Sequence, residues 1–258
     1  AGRLNHANLI AGFDVGESNG HYFFAMELVE GRTLKEIVSE EGPMEPRRAA
    51  DLILQVARAM EHYDQFAIIH RDIKPDNIIV THDGVAKLGD LGLSKQLTSN
   101  CHITRFGKTL GTPFYISPEL AVGQTMTDIR SDIYSLGATL YALLVGEPPF
   151  LGRNPTEIMT KHVREAPISL HQRRPSIPLE LSELADAMMA KPIQRRLESP
   201  KLLIQRLENF LSLPAAMATG TVPTREPPEI PPPGPALPVE SSVELSHGRA
   251  PEVRHRRG

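Results

Sequence analysis

The run His70-Arg71-Asp72-Ile73-Lys74-Pro75-Asp76-Asn77, followed by Leu88-Gly89-Asp90-Leu91-Gly92, holds the side chains of this 258-residue chain that could do chemistry together. A carboxylate at Asp72 can take the proton of an attacking hydroxyl, and the Lys74 ammonium can neutralise a charged group in transit. The Asn77 amide and the Asp90 carboxylate are hard oxygen donors suited to Mg²⁺. Phosphoryl transfer needs these parts, because it depends on positioning and charge stabilisation more than on covalent participation by the protein. A His-x-Asp with an Asn five residues on is easily met by chance, but the Asp-x-Gly that follows makes chance a poor explanation.

The elements that must position these groups are legible in outline. Leu9 to Val15 and Tyr22 to Val29 are apolar runs separated by Gly16-Glu17-Ser18-Asn19-Gly20, which predicts a hairpin. Thr33 reads as the N-cap of a short helix closed by Gly42-Pro43. Pro46 opens a longer helix with Ala50, Ile53, Leu54, Ala57 and Met60 at helical spacing. Ile68-Ile69 and Ile78 to Val80 read as short strands around the catalytic run, and His82-Asp83-Gly84 as the turn into Val85 to Leu88. Residues 93–117 are polar and aperiodic, the pattern of a functional loop. Asp132 to Val145 is almost continuously apolar and predicts a helix buried on most faces. Three more helical patterns lie near 155–164, 180–190 and 199–211. Prolines then crowd 214–238, and the end, Arg254-His255-Arg256-Arg257-Gly258, is basic. That segment reads as a disordered spacer rather than a polyproline ligand for a partner domain.

Composition narrows the class. The chain is 40% hydrophobic and 23% charged with a formal net charge of -3, so it suits a globular fold and gives no electrostatic case for nucleic acid. Cys101 is the single cysteine, which excludes an internal disulfide and fits a reducing, cytoplasmic setting. No His/Cys cluster has zinc-ligand spacing. No stretch reaches the roughly 18 apolar residues that span a bilayer; a membrane anchor of a longer parent would lie beyond Gly258.

With residues 70–92 goes a resemblance. The chain resembles the Ser/Thr protein kinases, closest to the bacterial receptor-type kinases, over about residues 1–211. The resemblance implies an α+β, protein-kinase-like fold: a remnant of the small lobe and hinge over 1–30, a mainly helical large lobe over 31–213, and a Pro-rich tail over 214–258. It assigns Asp72 as catalytic base, Lys74 as charge neutraliser, and Asn77 and Asp90 as Mg²⁺ ligands. Gly111-Thr112-Pro113-Phe114-Tyr115-Ile116-Ser117-Pro118-Glu119 resembles the end of the activation segment, so Thr112 would shape the acceptor pocket and favour Ser or Thr over Tyr. Met26-Glu27-Leu28-Val29 resembles the hinge: Met26 would guard the back pocket, backbone groups of Glu27 and Val29 would bond adenine, and Ile79 would lie under the base. Arg71 would receive a phosphate placed on Thr104 or Thr109. Glu119 would pair with Arg195, and Asp132 would accept backbone hydrogen bonds from the catalytic loop. ATP and Mg²⁺ are the implied cofactors, and proteins with Ser/Thr hydroxyls the implied partners.

The family pattern is not filled throughout. No G-x-G-x-x-G occurs in the chain, and no Val-Ala-x-Lys strand. The expectation is that this polypeptide alone transfers phosphate weakly or not at all. The alternative is a non-catalytic, kinase-like module that binds partners.

Overall fold

The computed structural model describes residues 4–90 and 113–214. The chain divides into a unit Ala1–Val222 and a second, Pro223–Gly258, that lies outside the described residues together with nearly all of the Pro-rich tail.

Two antiparallel strands, β1 (Gly12–Ser18) and β2 (His21–Met26), open the fold. The turn between them is Asn19-Gly20 alone, both residues with positive φ (53° and 76°). That pairing matches the right-handed strand twist and is why Asn-Gly is a strong hairpin signal. The strands are therefore shifted from the apolar runs: residues 16–18 belong to β1, and β2 stops at Met26. Phe13, Tyr22, Phe23 and Met26 all stand exposed on this hairpin. It is tied to the body by the Leu9–Leu88 bridge and by the ion pair of Lys87 with Glu27 at 2.8 Å.

β3 (Gly31–Thr33), β4 (Ile78–Thr81) and β5 (Ala86–Leu88) form an antiparallel sheet in the order β3-β4-β5. Helix α1 (Leu34–Glu41) starts at Thr33, whose hydroxyl accepts from Glu36 N–H while the Glu36 carboxylate accepts from Thr33 N–H, a capping box. Helix α2 (Pro46–Asp64) begins at Glu45, whose carboxylate accepts from the N–H groups of Arg47 and Arg48. Ile68-Ile69 pairs with no strand, contrary to the sequence expectation. Ala67 has φ 52° and Arg71 φ 65°, so the chain is turned at both ends of that run and cannot lie along a sheet.

The remaining described helices are α3 (Pro118–Ala121), α4 (Arg130–Val145), α5 (Pro155–Arg164), α6 (Leu170–Arg173), α7 (Leu179–Met188) and α8 (Pro200–Ser212). Every residue of α4 from Ser131 to Leu144 is buried, as the unbroken apolar pattern predicts. Two of its hydroxyls are satisfied within the helix: Ser135 and Thr139 donate to the carbonyls four residues back. Gly137 lets α7 approach closely, since a Cβ there would sit 2.7 Å from that of Met188. α2 packs on α8 and α4, and α4 on α7. The resulting core runs from Leu34 and Ile53 through Tyr134 and Leu140 to Leu207 and Phe210. Among the described residues no helix is long and apolar enough to cross a membrane.

Candidate active site

The catalytic run leaves α2 and is held from below by α4. Asp132, fully buried near the start of α4, accepts from the N–H groups of His70 (2.7 Å, Oδ2) and Arg71 (2.8 Å, Oδ1) and from the Tyr63 hydroxyl (3.0 Å). Burial raises the pKa of its carboxyl, against the His70 ring and these donors, which favour the ionised form. Arg71 carries a positive φ, a backbone conformation that costs energy and persists only where surroundings impose it. The grip of Asp132 on two successive N–H groups supplies that constraint.

His70 is fully buried and joins the two halves of the site. Its Nε2 is 2.8 Å from the Gly89 carbonyl, and its Nδ1 accepts from Asp72 N–H at 3.3 Å. A carbonyl can only accept, so the proton sits on Nε2. Gly89 N–H in turn donates to the Asn77 carbonyl at 2.8 Å. Gly89, one residue before Asp90, is thus fastened to both ends of the catalytic run, and a Cβ at Gly89 would meet Ile10 at 2.8 Å. Asp90 follows with φ 53° and is exposed.

The reactive groups face one another. Lys74 Nζ lies 2.8 Å from Asp72 Oδ2, with 31% and 40% of the two side chains exposed. Asn77 Nδ2 donates to the Asp72 carbonyl at 2.8 Å and to Oδ2 at 3.2 Å. With Nδ2 fixed on the loop, Asn77 Oδ1 is the atom left for a cation, and Asp72 Oδ1 accepts from no described residue. One amide oxygen and one exposed carboxylate, completed by phosphate and water oxygens, suit Mg²⁺, which keeps several non-protein ligands. The residues therefore fit the implied metal.

The hinge residues are placed as follows. Glu27 N–H donates to the Ala11 carbonyl at 2.8 Å and its carboxylate pairs with Lys87; the hydrogen bond from Lys87 lowers its pKa. Its carbonyl accepts from no described residue. Met26 is exposed and Val29 half-buried. On β4, Ile78 and Val80 face the core while Ile79, half-buried, faces the other way, with its Cγ2 3.0 Å from where a Gly31 Cβ would stand.

Glu119 does not pair with Arg195. Its partner is Arg196, at 2.7 and 3.1 Å to the two carboxylate oxygens, with Ser131 donating at 2.6 Å. Pro192 starts a 3-10 turn over Ile193–Arg195 that leaves Arg195 exposed; Arg196, extended after it, points inward and is 4% exposed. Burial would raise the Glu119 carboxyl, but the hydrogen bonds from Arg196 and Ser131 outweigh it and hold the pKa below the ordinary value. Sequence reasoning also missed Tyr63, whose signal was hidden in a helix of otherwise apolar spacing. Thr104, Thr109 and Thr112 lie outside the described residues.

A family model described as protein kinase domain matches residues 1–207. The chain is 37% identical over 203 residues to the serine/threonine-protein kinase PknB of Mycobacterium leprae, covering 77% of this chain and 32% of that relative. It is 38% identical over 199 residues to the serine/threonine-protein kinase PrkC of Bacillus subtilis, covering 77% and 30%. The chain thus spans about a third of the length of the curated relatives it matches. The crystal structure of Rad53 1-466 in complex with AMP-PNP superposes with a TM-score of 0.66 at 22% identity, covering 79% of this chain and 51% of that one, a likeness of fold. Fold and sequence agree: the chain belongs to the protein kinase domain family, and its bacterial relatives are serine/threonine-protein kinases.

Proposed function

We propose that the cleft at Asp72, Lys74, Asn77 and Asp90 transfers the γ-phosphate of ATP to Ser or Thr hydroxyls of proteins. The observation that carries this reading is the arrangement around Asp72. Its Oδ2 is held by Lys74 and Asn77, while Oδ1 has no described partner on a side chain that is 40% exposed. A carboxylate held at one oxygen and open at the other can orient an acceptor hydroxyl and take its proton. Lys74, beside it, offsets charge on the acceptor side. Asn77 Oδ1 and Asp90 would hold Mg²⁺, which supplies neutralisation of phosphate charge when bound. The Glu27 carbonyl and Val29 N–H would meet adenine, with Met26 and Ile79 bounding its pocket, and Thr112 would lie beside the acceptor.

Arg71 fits a regulatory role. Its Nε is buried with no partner among the described residues, and a phosphate on Thr104 or Thr109 would satisfy it by charge-assisted hydrogen bonds. On its own the 258-residue chain would transfer phosphate weakly or not at all, because it holds no Gly-rich loop or strand lysine to close over the nucleotide.

The test compares chain 1–258 with the same chain carrying an N-terminal segment that supplies both motifs, using ATP labelled in the γ-phosphate and a basic protein acceptor. The extended chain should label Ser and Thr, and Asp72→Asn should lower the rate about a hundredfold or more. Labelling on Tyr, or full activity after Asp72→Asn, would overturn the assignment. A second reading, a partner-binding module, would be favoured if the extended chain bound nucleotide yet transferred nothing.

A further inference from the structure

A chain of polar groups that the proposed phosphotransfer does not use links four separate segments of the fold. His162 on α5 is fully buried, with Nε2 3.0 Å from the Phe114 carbonyl and Nδ1 2.9 Å from the Tyr134 hydroxyl. The carbonyl can only accept, so Nε2 carries the proton and Nδ1 is bare. The Tyr134 hydrogen must then point to Nδ1, which leaves the phenol oxygen only as an acceptor. Lys191 Nζ donates to that oxygen at 2.8 Å. The chain therefore has one direction: Lys191 to Tyr134 to His162 to Phe114.

Lys191 occupies an unusual seat. Its Nζ lies 4.4 Å from the centre of the Phe150 ring and 5.1 Å from that of Tyr134. The Arg196 guanidinium stacks over the same Tyr134 ring at 5.0 Å, and Arg196 donates to the Lys191 carbonyl. Among the described residues no carboxylate forms an ion pair with Lys191; Glu165, at the end of α5, acts on it only through space. Burial first, and Arg196 second, push its pKa down to about 7, against Glu165. The side chain nevertheless remains partly exposed. When the ammonium loses its proton, Tyr134 cannot donate to the amine, because its hydrogen is committed to His162. The free lone pair is then left unquenched on a partly open surface.

We propose that Lys191 is a nucleophilic lysine and an acylation site for activated acyl donors, thioesters or acyl phosphates. The ammonium releases its proton to water, and the Nζ lone pair forms a bond to the acyl carbon. The bond from that carbon to sulfur or phosphate oxygen breaks with its electron pair, the acylated nitrogen gives up a second proton to water or to the departing group, and a thiol or phosphate leaves behind a neutral amide. Acylation removes the charge over the two rings and adds bulk beside Phe150, at the head of the chain that ends on Phe114. The modification thereby reaches the backbone at Phe114 through hydrogen bonds, without touching Asp72.

The folded chain is incubated with acetyl phosphate or, separately, acetyl-coenzyme A, and acetylation at each lysine is followed by peptide mass spectrometry. An amine of ordinary pKa is almost wholly protonated near pH 7, so Lys191 should react about tenfold or more faster than the exposed Lys35 and Lys201. Its rate should level off above about pH 8 while theirs keep rising, and the preference should vanish in urea. A gain with only one donor assigns the source. Tyr134→Phe, which keeps the ring but deletes the acceptor of the ammonium, should move the half-maximal pH lower. Reaction at Lys191 no faster than at Lys35 and Lys201 with either donor, or equal preference in urea, would overturn the proposal, whether or not Tyr134→Phe folds.

Discussion

The carboxylates beneath the cleft and those inside it live under opposite conditions. Asp132 and Glu119 are buried, and each of their four oxygens accepts at least one hydrogen bond. Asp72 and Asp90 reach solvent, and each keeps an oxygen that no described residue occupies. Under the proposed function this is a division of labour: saturated groups fix the backbone of the run 70–77, while under-coordinated groups held by that backbone would be left for ligands. Rigidity and the proposed reactivity would thus be supplied by different residues of the same type.

Breaking the buried set should cost most. Arg196→Met leaves Glu119 buried without its cation, and loss of a buried partner costs about 3–5 kcal/mol; urea denaturation should show it. Arg195→Met, one residue earlier and exposed, should stay within about 0.5 kcal/mol. Equal effects of the two would contradict the Arg196 pairing, and a larger loss for Arg195→Met would return it to Arg195. Asp132→Asn presents an NH₂ group to one of two backbone donors, an unsatisfied contact worth about 1–3 kcal/mol. Its second signature should be faster hydrogen exchange at His70 and Arg71.

Acid should act through the same buried layer. His162 is pushed down to about 3 by burial, and further by Lys191, against the Phe114 carbonyl. Between that value and the ordinary one near 6.5, the unfolded chain binds a proton that the folded chain refuses, so stability falls as pH drops through this window. Glu119, held low, adds a loss of the same sign at the acid end. Lys191 works above neutrality: from about 7 towards its ordinary 10.5 the folded chain has already shed a proton that the unfolded chain keeps, so stability rises with pH. The limiting slope is about 1.4 kcal/mol per pH unit per group. His162→Gln should flatten the acid limb and Lys191→Met the alkaline one, both read by thermal unfolding across pH.

The smallest stability effects should come from the cleft. Asp72→Asn and Asp90→Asn should each change unfolding free energy by less than about 0.5 kcal/mol, as surface substitutions do. A loss comparable to that of Arg196→Met would erase the contrast between the two sets.

How much of this was legible in sequence follows from how local each feature is. The capping box at Thr33, the Pro46 start and the buried α4 are written in neighbouring residues, and the structure has them. The spacing of Asp72, Lys74, Asn77 and Asp90 was equally plain, since the run and its sequel are short. The choice between Arg195 and Arg196 was not, because a one-residue shift depends on the 3-10 turn after Pro192, which no periodicity announces. The Ile68-Ile69 run looked like a strand because apolarity does not report the positive φ of Ala67 and Arg71. The Lys191–Tyr134–His162–Phe114 chain joins four separate segments and has no local trace at all.

The central claim is that Asp72, Asn77 and Asp90 share one solvent-facing cleft that takes a metal–nucleotide. Nuclear magnetic resonance of the chain titrated with Mn²⁺ and a non-hydrolysable ATP analogue tests it most directly. The account predicts selective paramagnetic broadening of the Asn77 side-chain amide and the Asp90 backbone signal, weakened by Asp90→Asn, with α8 unaffected. Broadening that spares both residues, or that persists unchanged in Asp90→Asn, would contradict it.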